Sequence, residues 1–321
     1  MVLTVDGSLV PQPQICAAMP PNATFDAAGH PVGPWREHLR HISNARNVVT
    51  VALAWTQIVV TVAGVVALHR WWVTVVGAMV MGRAFALLSI LAHEAAHRLL
   101  FTSRRWNDGV GRWLLAYPAF VPFDAYRRSH MAHHRDELGP AEPDARLYAG
   151  YPISGRSAWR KVRRDALGVS GLKNLRGLLV ALGRRSSRPV ALRILGVQAV
   201  LVALTVIVEH PGAYLWLWLV PWLTSWRVLN RLRAVAEHGG MTASEDKRRT
   251  THVVTQHVAA RVFVVPYRTG WHLAHHLDAG VPWRNLPRLH DALVRLGYVT
   301  EAITYPSYTA LWRAAVSGSR R

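Results

Sequence analysis

Nine of the 17 histidines fall into four groups. "HEAAH" places His93 and His97 four apart, "HMAHH" holds His130, His133 and His134, "AEHGG" holds His238, and "HLAHH" holds His272, His275 and His276. Residues four apart on a helix share a face one turn apart, so His93 and His97 can converge. In H-x-x-H-H the first residue shares a face with the fourth and the fifth, while the last two diverge by about 100°, so one segment can feed two neighbouring metals. Nine imidazoles exceed what one tetrahedral zinc takes and suit a pair of first-row metals with open positions. Imidazole serves iron, zinc, copper and nickel, so the ligands alone do not name the metal.

Read alone, "HEAAH" is also the helix of a zinc protease with Glu94 as base, a reading that leaves both H-x-x-H-H boxes unexplained. A non-enzymatic carrier of metal or haem is the other rival, but such sites usually draw on histidines inside membrane spans. Four acids beside the candidate ligands, Glu94, Asp136, Glu237 and Asp278, can orient an imidazole by accepting its second N–H or serve as ordinary solvated or salt-bridged acids. His30, His38, His41, His69, His210 and His290 read as ordinary surface or core residues, with His252 and His257 as more remote supporting candidates.

The elements that must position these groups are apolar. The chain has 321 residues, 51% hydrophobic and 17% charged, a low charge fraction for a soluble domain. Val48–Leu68 and Val73–Ala92 form a first hairpin of membrane length around "HRWW", the second run broken only by Arg83. Ile194–Val208 and Ala213–Trp226 form a second hairpin around "EHPG", with Pro221 expected to kink its return helix. The apolar patch Trp113–Phe123 is too short to span and is expected at the membrane interface. Arg83 is a costly charge within a span, expected to face the bundle interior, most simply in a structural ion pair.

The two turns hold one Lys or Arg, Arg70, whereas the net charge of +20 sits almost entirely on the other side. The positive-inside rule puts that side, both termini and all nine histidines in the cytoplasm, at the plasma membrane in a bacterium. The basic charge follows the loops, which argues for anionic headgroups and against nucleic acid. Cys16, the one cysteine, excludes an internal disulfide, a cysteine-held zinc and an iron–sulfur cluster. The start of the chain lacks the basic and apolar parts of a signal peptide. The expected class is an all-α integral membrane protein, four transmembrane helices in two hairpins with a cytoplasmic helical cap carrying a histidine-rich di-metal site. The expected layout is 1–47 as flexible tail and basic surface helix, 48–310 as membrane-embedded domain, and 311–321 as basic tail.

The boxes and the two hairpins resemble the membrane fatty-acid desaturase superfamily. "HHRDELGPAEPDARLY" (133–148) looks like the segment after that family's second box, and "WHLAHHLDAGVPWRNLPRLHDAL" (271–293) is similar to the third box of acyl-lipid desaturases. "AEHGG" looks like its isolated histidine motif, although Ala234 stands where some members have an asparagine, leaving Asn230 as a remote substitute. The resemblance implies two iron ions held by the nine histidines and O2 as co-substrate. It also implies an acyl lipid or acyl thioester substrate and electrons from a separate ferredoxin or cytochrome-type donor. Desaturation is the implied reaction, with hydroxylation or ketolation by the same ligand set as the alternative. How the substrate carbon is held separates them.

Overall fold

In a computed structural model, which describes residues 8–18 and 20–318, the chain is mostly helical, with one short parallel strand pair, Val253–Val254 with Thr304–Tyr305, among the described residues. It divides into two compact units. One comprises Ser43–Arg127 and Arg160–Asn230; the other comprises Met1–Ile42, Arg128–Trp159 and Arg231–Arg321. The first is here called the apolar unit, the second the histidine-rich unit.

The apolar unit is built on Asn44–Leu68, Trp71–Ala96 and Arg188–Ile207. Among the described residues three helical stretches are long and apolar enough to cross a membrane: Trp71–Ala96, Arg188–Ile207, and Gly33–Leu68, which joins a short helix, Gly33–Leu39, to Asn44–Leu68. Trp71–Ala96 is the central one: Met81, Phe85, Leu88 and Leu91 are buried on it, while Asn44–Leu68 leaves Val49, Leu53, Val59 and Val60 exposed. Exposed aliphatic rows of that length need a lipid solvent rather than water. Arg83 lies inside this span and hydrogen-bonds the Gln57 side-chain oxygen, which brings a polar acceptor to the charge.

The fourth apolar run is not one helix. Gly212–Tyr214 is followed by a π-helical turn, Leu215–Leu219, then Val220–Leu223, and the helix breaks at Thr224 (φ −119°, ψ −87°) before Ser225–His238 begins. Pro221 has no N–H and its ring crowds the carbonyl four residues earlier, and the wider turn just upstream makes room for it. The stretch around Trp113–Phe123, expected at the membrane interface, is irregular as well. It starts as a π-helical turn, Gly111–Ala116, and reverses at Phe120 (φ 60°). Trp113 and Leu114 are exposed, whereas Leu115, Ala116, Tyr117 and Ala119 are buried, so much of the segment faces inward. Its free carbonyls are satisfied by side chains: Gln198 donates to Tyr117 and Pro118 (2.9 and 3.2 Å), Trp218 to Pro118 (3.2 Å) and Trp222 to Ala119 (2.8 Å). Irregular backbone is tolerated among apolar helices only with such partners.

The histidine-rich unit has its own core, in which Leu39, Leu273, Leu277, Leu286, Leu289 and Leu293 pack together. Part of the segment expected as a tail is built into this unit. Phe25 is in that core, and Leu9 packs with Val235 and Ala315. Arg248 donates to the carbonyls of Cys16 and Ala17 and stacks on Tyr298. At the other end, Leu311 and Ala315 of the Tyr308–Ala315 helix are fully buried. The outer parts of both expected tails, residues 1–7 and 319–321, and residue 19, lie outside the described residues.

Candidate metal centre

His93 and His97 close the Trp71–Ala96 helix in the apolar unit, with ring centroids 4.8 Å apart. The last carbonyls of a helix lack intrahelical partners. Here Ala95 is capped by Asn107 (2.8 Å) and Arg127 (2.9 Å), and Ala96 by Arg127 (3.0 Å). That clamp holds the end of the helix at which both rings sit, and the Tyr126 hydroxyl lies 3.4 Å from His93 Nδ1.

The other seven imidazoles belong to the histidine-rich unit. His130, His133 and His134 lie on the last two turns of Phe123–Arg135, His238 ends Ser225–His238, and His272, His275 and His276 lie on the short helix His272–Leu277. Every residue of that last helix is buried. Its Leu273, Ala274 and Leu277 face join the unit's core, which leaves the histidine face for the ligands.

The Nε2 atoms of these rings gather in two triads. His134 Nε2 is 3.1 Å from His130 Nε2 and 3.1 Å from His275 Nε2. His272 Nε2 is 3.0 Å from His238 Nε2 and 3.1 Å from His276 Nε2. His133, His238 and His276 also offer nitrogen atoms within 4.8 Å of one another. One shared proton satisfies one nitrogen–nitrogen contact, not the two made by each central ring. His238 Nδ1 faces the Thr250 carbonyl at 2.9 Å, an acceptor only, so this nitrogen carries a hydrogen and a neutral ring leaves Nε2 as a lone pair. Burial pushes His276 down to about 4 and, with neighbouring histidines, holds His272 well below the usual range. For His238 burial acts the same way and is the largest single influence, but Glu137, Glu237 and the Thr250 carbonyl together outweigh it and raise the ring. Converging Nε2 atoms, on rings of which His272 and His276 are held neutral by burial, fit a metal cation in each triad.

Carboxylates stand behind these rings, and two of them, Glu137 and Glu142, are not among the acids singled out above. Glu137 Oε1 lies 3.3 Å from His238 Nδ1 and Glu137 Oε2 lies 3.2 Å from His276 Nδ1. Burial alone would raise its pKa, yet His276 and His238 hold it far below the usual carboxylate range. Glu142 accepts from His133 Nδ1 (2.8 Å) and from the backbone N–H groups of Leu138 (3.1 Å) and Asp144 (3.0 Å), locking the loop after the second box onto that ring.

Of the acids expected beside the ligands, Glu237 lies 3.6 Å from His272 Nδ1 and 3.1 Å from Arg233. Asp136 accepts from the Ala141 N–H (2.8 Å), and Asp278 is taken by Arg36 and Arg40. Glu94 is buried in the apolar unit. His252 donates to the Gly239 carbonyl (2.8 Å) and His257 to that of Pro306 (3.0 Å), both structural contacts. Glu137 and Glu142 carried a weak signal: one follows His133 by four residues, and the other is the acid of "EPD".

Residues 70–308 match the fatty acid desaturase family. The chain belongs to the fatty acid desaturase family. It is 28% identical over 245 residues to dihydrorhizobitoxine desaturase of Bradyrhizobium elkanii, covering 66% of this chain and 65% of that protein. It is 24% identical over 155 residues to the sn-1 oleoyl-lipid 12-desaturase of Picosynechococcus sp. (strain ATCC 27264 / PCC 7002 / PR-6), covering 44% of each. The chain therefore spans somewhat under two thirds of the length of one relative and under half of the other. In this desaturase-family chain the two triads use the second box, the isolated histidine and the third box.

Proposed function

We propose that the chain is an O2-dependent membrane desaturase that places a double bond in an alkyl chain, with two irons held by His93, His97, His130, His133, His134, His238, His272, His275 and His276. The observation that carries this reading is the pair of Nε2 triads, each with more lone pairs than protons can serve. His93 and His97 join the set on family membership and box spacing. A zinc protease needs one metal and leaves both triads without a task.

Two irons, when bound, supply the oxidising power of O2 for an unactivated C–H bond. The chain's own part is placement. Burial holds His272 and His276 neutral, so these two present Nε2 without first losing a proton, while Glu142 and Glu137 hold the opposite edges of the rings they face. The apolar helices supply surroundings for a long acyl substrate, in line with the lipid in one relative's name. Electrons would come from a separate ferredoxin or cytochrome-type donor. The charge asymmetry supports four spans in residues 48–310, the active site on the cytoplasmic side, and polar ends flanking that body.

The test is expression in a host with simple lipids, followed by mass spectrometry of lipid and polar extracts, since the other relative is named for dihydrorhizobitoxine. A His134→Ala/His276→Ala double variant is the control. Unsaturated species absent from the control are expected. A product about 16 mass units heavier points instead to hydroxylation. No new product with iron, reductant and substrate supplied would overturn the reading.

A further inference from the structure

Glu137 is two residues past the Phe123–Arg135 helix, and its carboxylate is almost fully buried. A buried carboxylate is costly unless donors surround it. Thr251 Oγ1 donates to Oε1 (2.9 Å) and Lys247 Nζ to Oε2 (2.8 Å). Both come from the loop that also offers the Thr250 carbonyl to His238 Nδ1. The two oxygens then face two imidazoles from different elements, His238 at 3.3 Å and His276 at 3.2 Å. The His276 contact is within ion-pair range but out of line for a hydrogen bond, and among the described residues His276 Nδ1 has no other hydrogen-bond partner. A cation on Nε2 makes the opposite N–H a stronger donor, which favours closing this contact on loading.

We infer that Glu137 is a positioning residue for one metal of the pair. It holds the outer edges of His238 and His276 so that their Nε2 atoms meet that of His272. This rests on the metal-binding reading above. The neighbouring acids have other tasks: Asp136 holds Ala141 and Glu142 holds His133. Removing the Glu137 charge should therefore disturb the triad of His238, His272 and His276 and spare that of His130, His134 and His275. In Glu137→Gln the amide NH2 meets Lys247 or an imidazole N–H, a donor facing a donor.

The experiment loads purified full-length protein in lipid nanodiscs with 57Fe(II). Iron is counted by mass spectrometry, Mössbauer spectra are recorded, and iron release to a chelator is timed. Wild type and Asp136→Asn should hold about two irons. Glu137→Gln should retain one with an unchanged signal, the second site weakened roughly 10–100-fold, and Glu137→Asp should restore part of the loss. Two irons in Glu137→Gln with wild-type spectra and release rates would overturn the inference, as would loss of both irons together. If Glu137→Gln does not accumulate folded, Thr251→Val carries the test: faster release of one iron supports the role, and unchanged release of both overturns it. A wild type that takes up no iron pair sinks the metal-centre reading itself, whereas an intact pair in both proteins sinks only the role of Glu137.

Discussion

Asp278 lies two residues past the third box, and its side chain is 2% exposed. Arg36 Nε lies 2.9 Å from Oδ2, Arg40 also holds both oxygens, and the Gly280 N–H donates to Oδ1 at 3.0 Å. Burial by itself raises the carboxyl, but Arg40 and Arg36 bring it below the usual range, so it is charged at neutral pH. Asp278→Asn keeps one acceptor and loses the charge. Charge-assisted bonds of buried groups contribute about 1.5–3 kcal/mol each. The arginines are 45% and 40% exposed and stay partly hydrated, which lowers the figure toward roughly 1 kcal/mol per pair, about 2 kcal/mol in all.

For a chain of this size that is a fall of roughly 3–6 °C in melting temperature, read by tryptophan fluorescence at one scan rate. The folded carboxyl is depressed, so its contribution is present above the unfolded value near 4 and fades as pH falls through the lower folded value. Iron content at low temperature should not change, because this carboxylate holds the Gly33–Leu39 helix rather than a ring. An Arg40→Gln/Asp278→Asn cycle should show coupling of about 1 kcal/mol. A variant that melts within about 1 °C of wild type, or one that loses iron at an unchanged melting temperature, would refute the assignment.

His252 is buried, and burial brings its pKa down to about 4. Below pH about 6.5 the unfolded chain binds a proton that the folded chain refuses, so stability falls between pH 6.5 and 4 by up to about 3 kcal/mol. His252→Gln should flatten the corresponding part of the melting-temperature profile, and parallel profiles for the two proteins would contradict this. Within the Val169–Leu182 helix, a Cβ on Gly171 would lie 2.5 Å from the Leu223 carbonyl oxygen and 2.6 Å from its Cα, whereas a Cβ on Gly177 meets nothing within 4 Å. Gly171→Ala should cost about 1–3 kcal/mol and Gly177→Ala gain about 0.5–1 kcal/mol by thermal melting, with equal effects counting against the close helix contact.

The histidine boxes were legible because ligand spacing on a helix is a local property. H-x-x-H-H puts three imidazoles on adjoining faces wherever that helix lies. The apolar runs were legible for the same reason, as length and composition. The choice among the acids was not. Glu137 and Asp136 lie beyond the last turn of Phe123–Arg135, where helical phase stops predicting direction, and the chain there turns the second of two adjacent carboxylates onto the rings. Asp278 leaves the third-box helix in an extended conformation (φ −144°, ψ 91°) and meets arginines 238 and 242 positions away.

Composition also misread part of the first 34 residues, because one Phe25 or Leu9 in a Pro- and Gly-rich stretch gives no period, yet each finds a core pocket. By itself, then, the sequence determined the spacing of the histidine boxes and the apolar helices, which need only neighbours within a turn or two. Tertiary structure alone decided which carboxylate steadies which ring and how the Nε2 atoms gather into two triads, because those contacts join segments far apart in the chain.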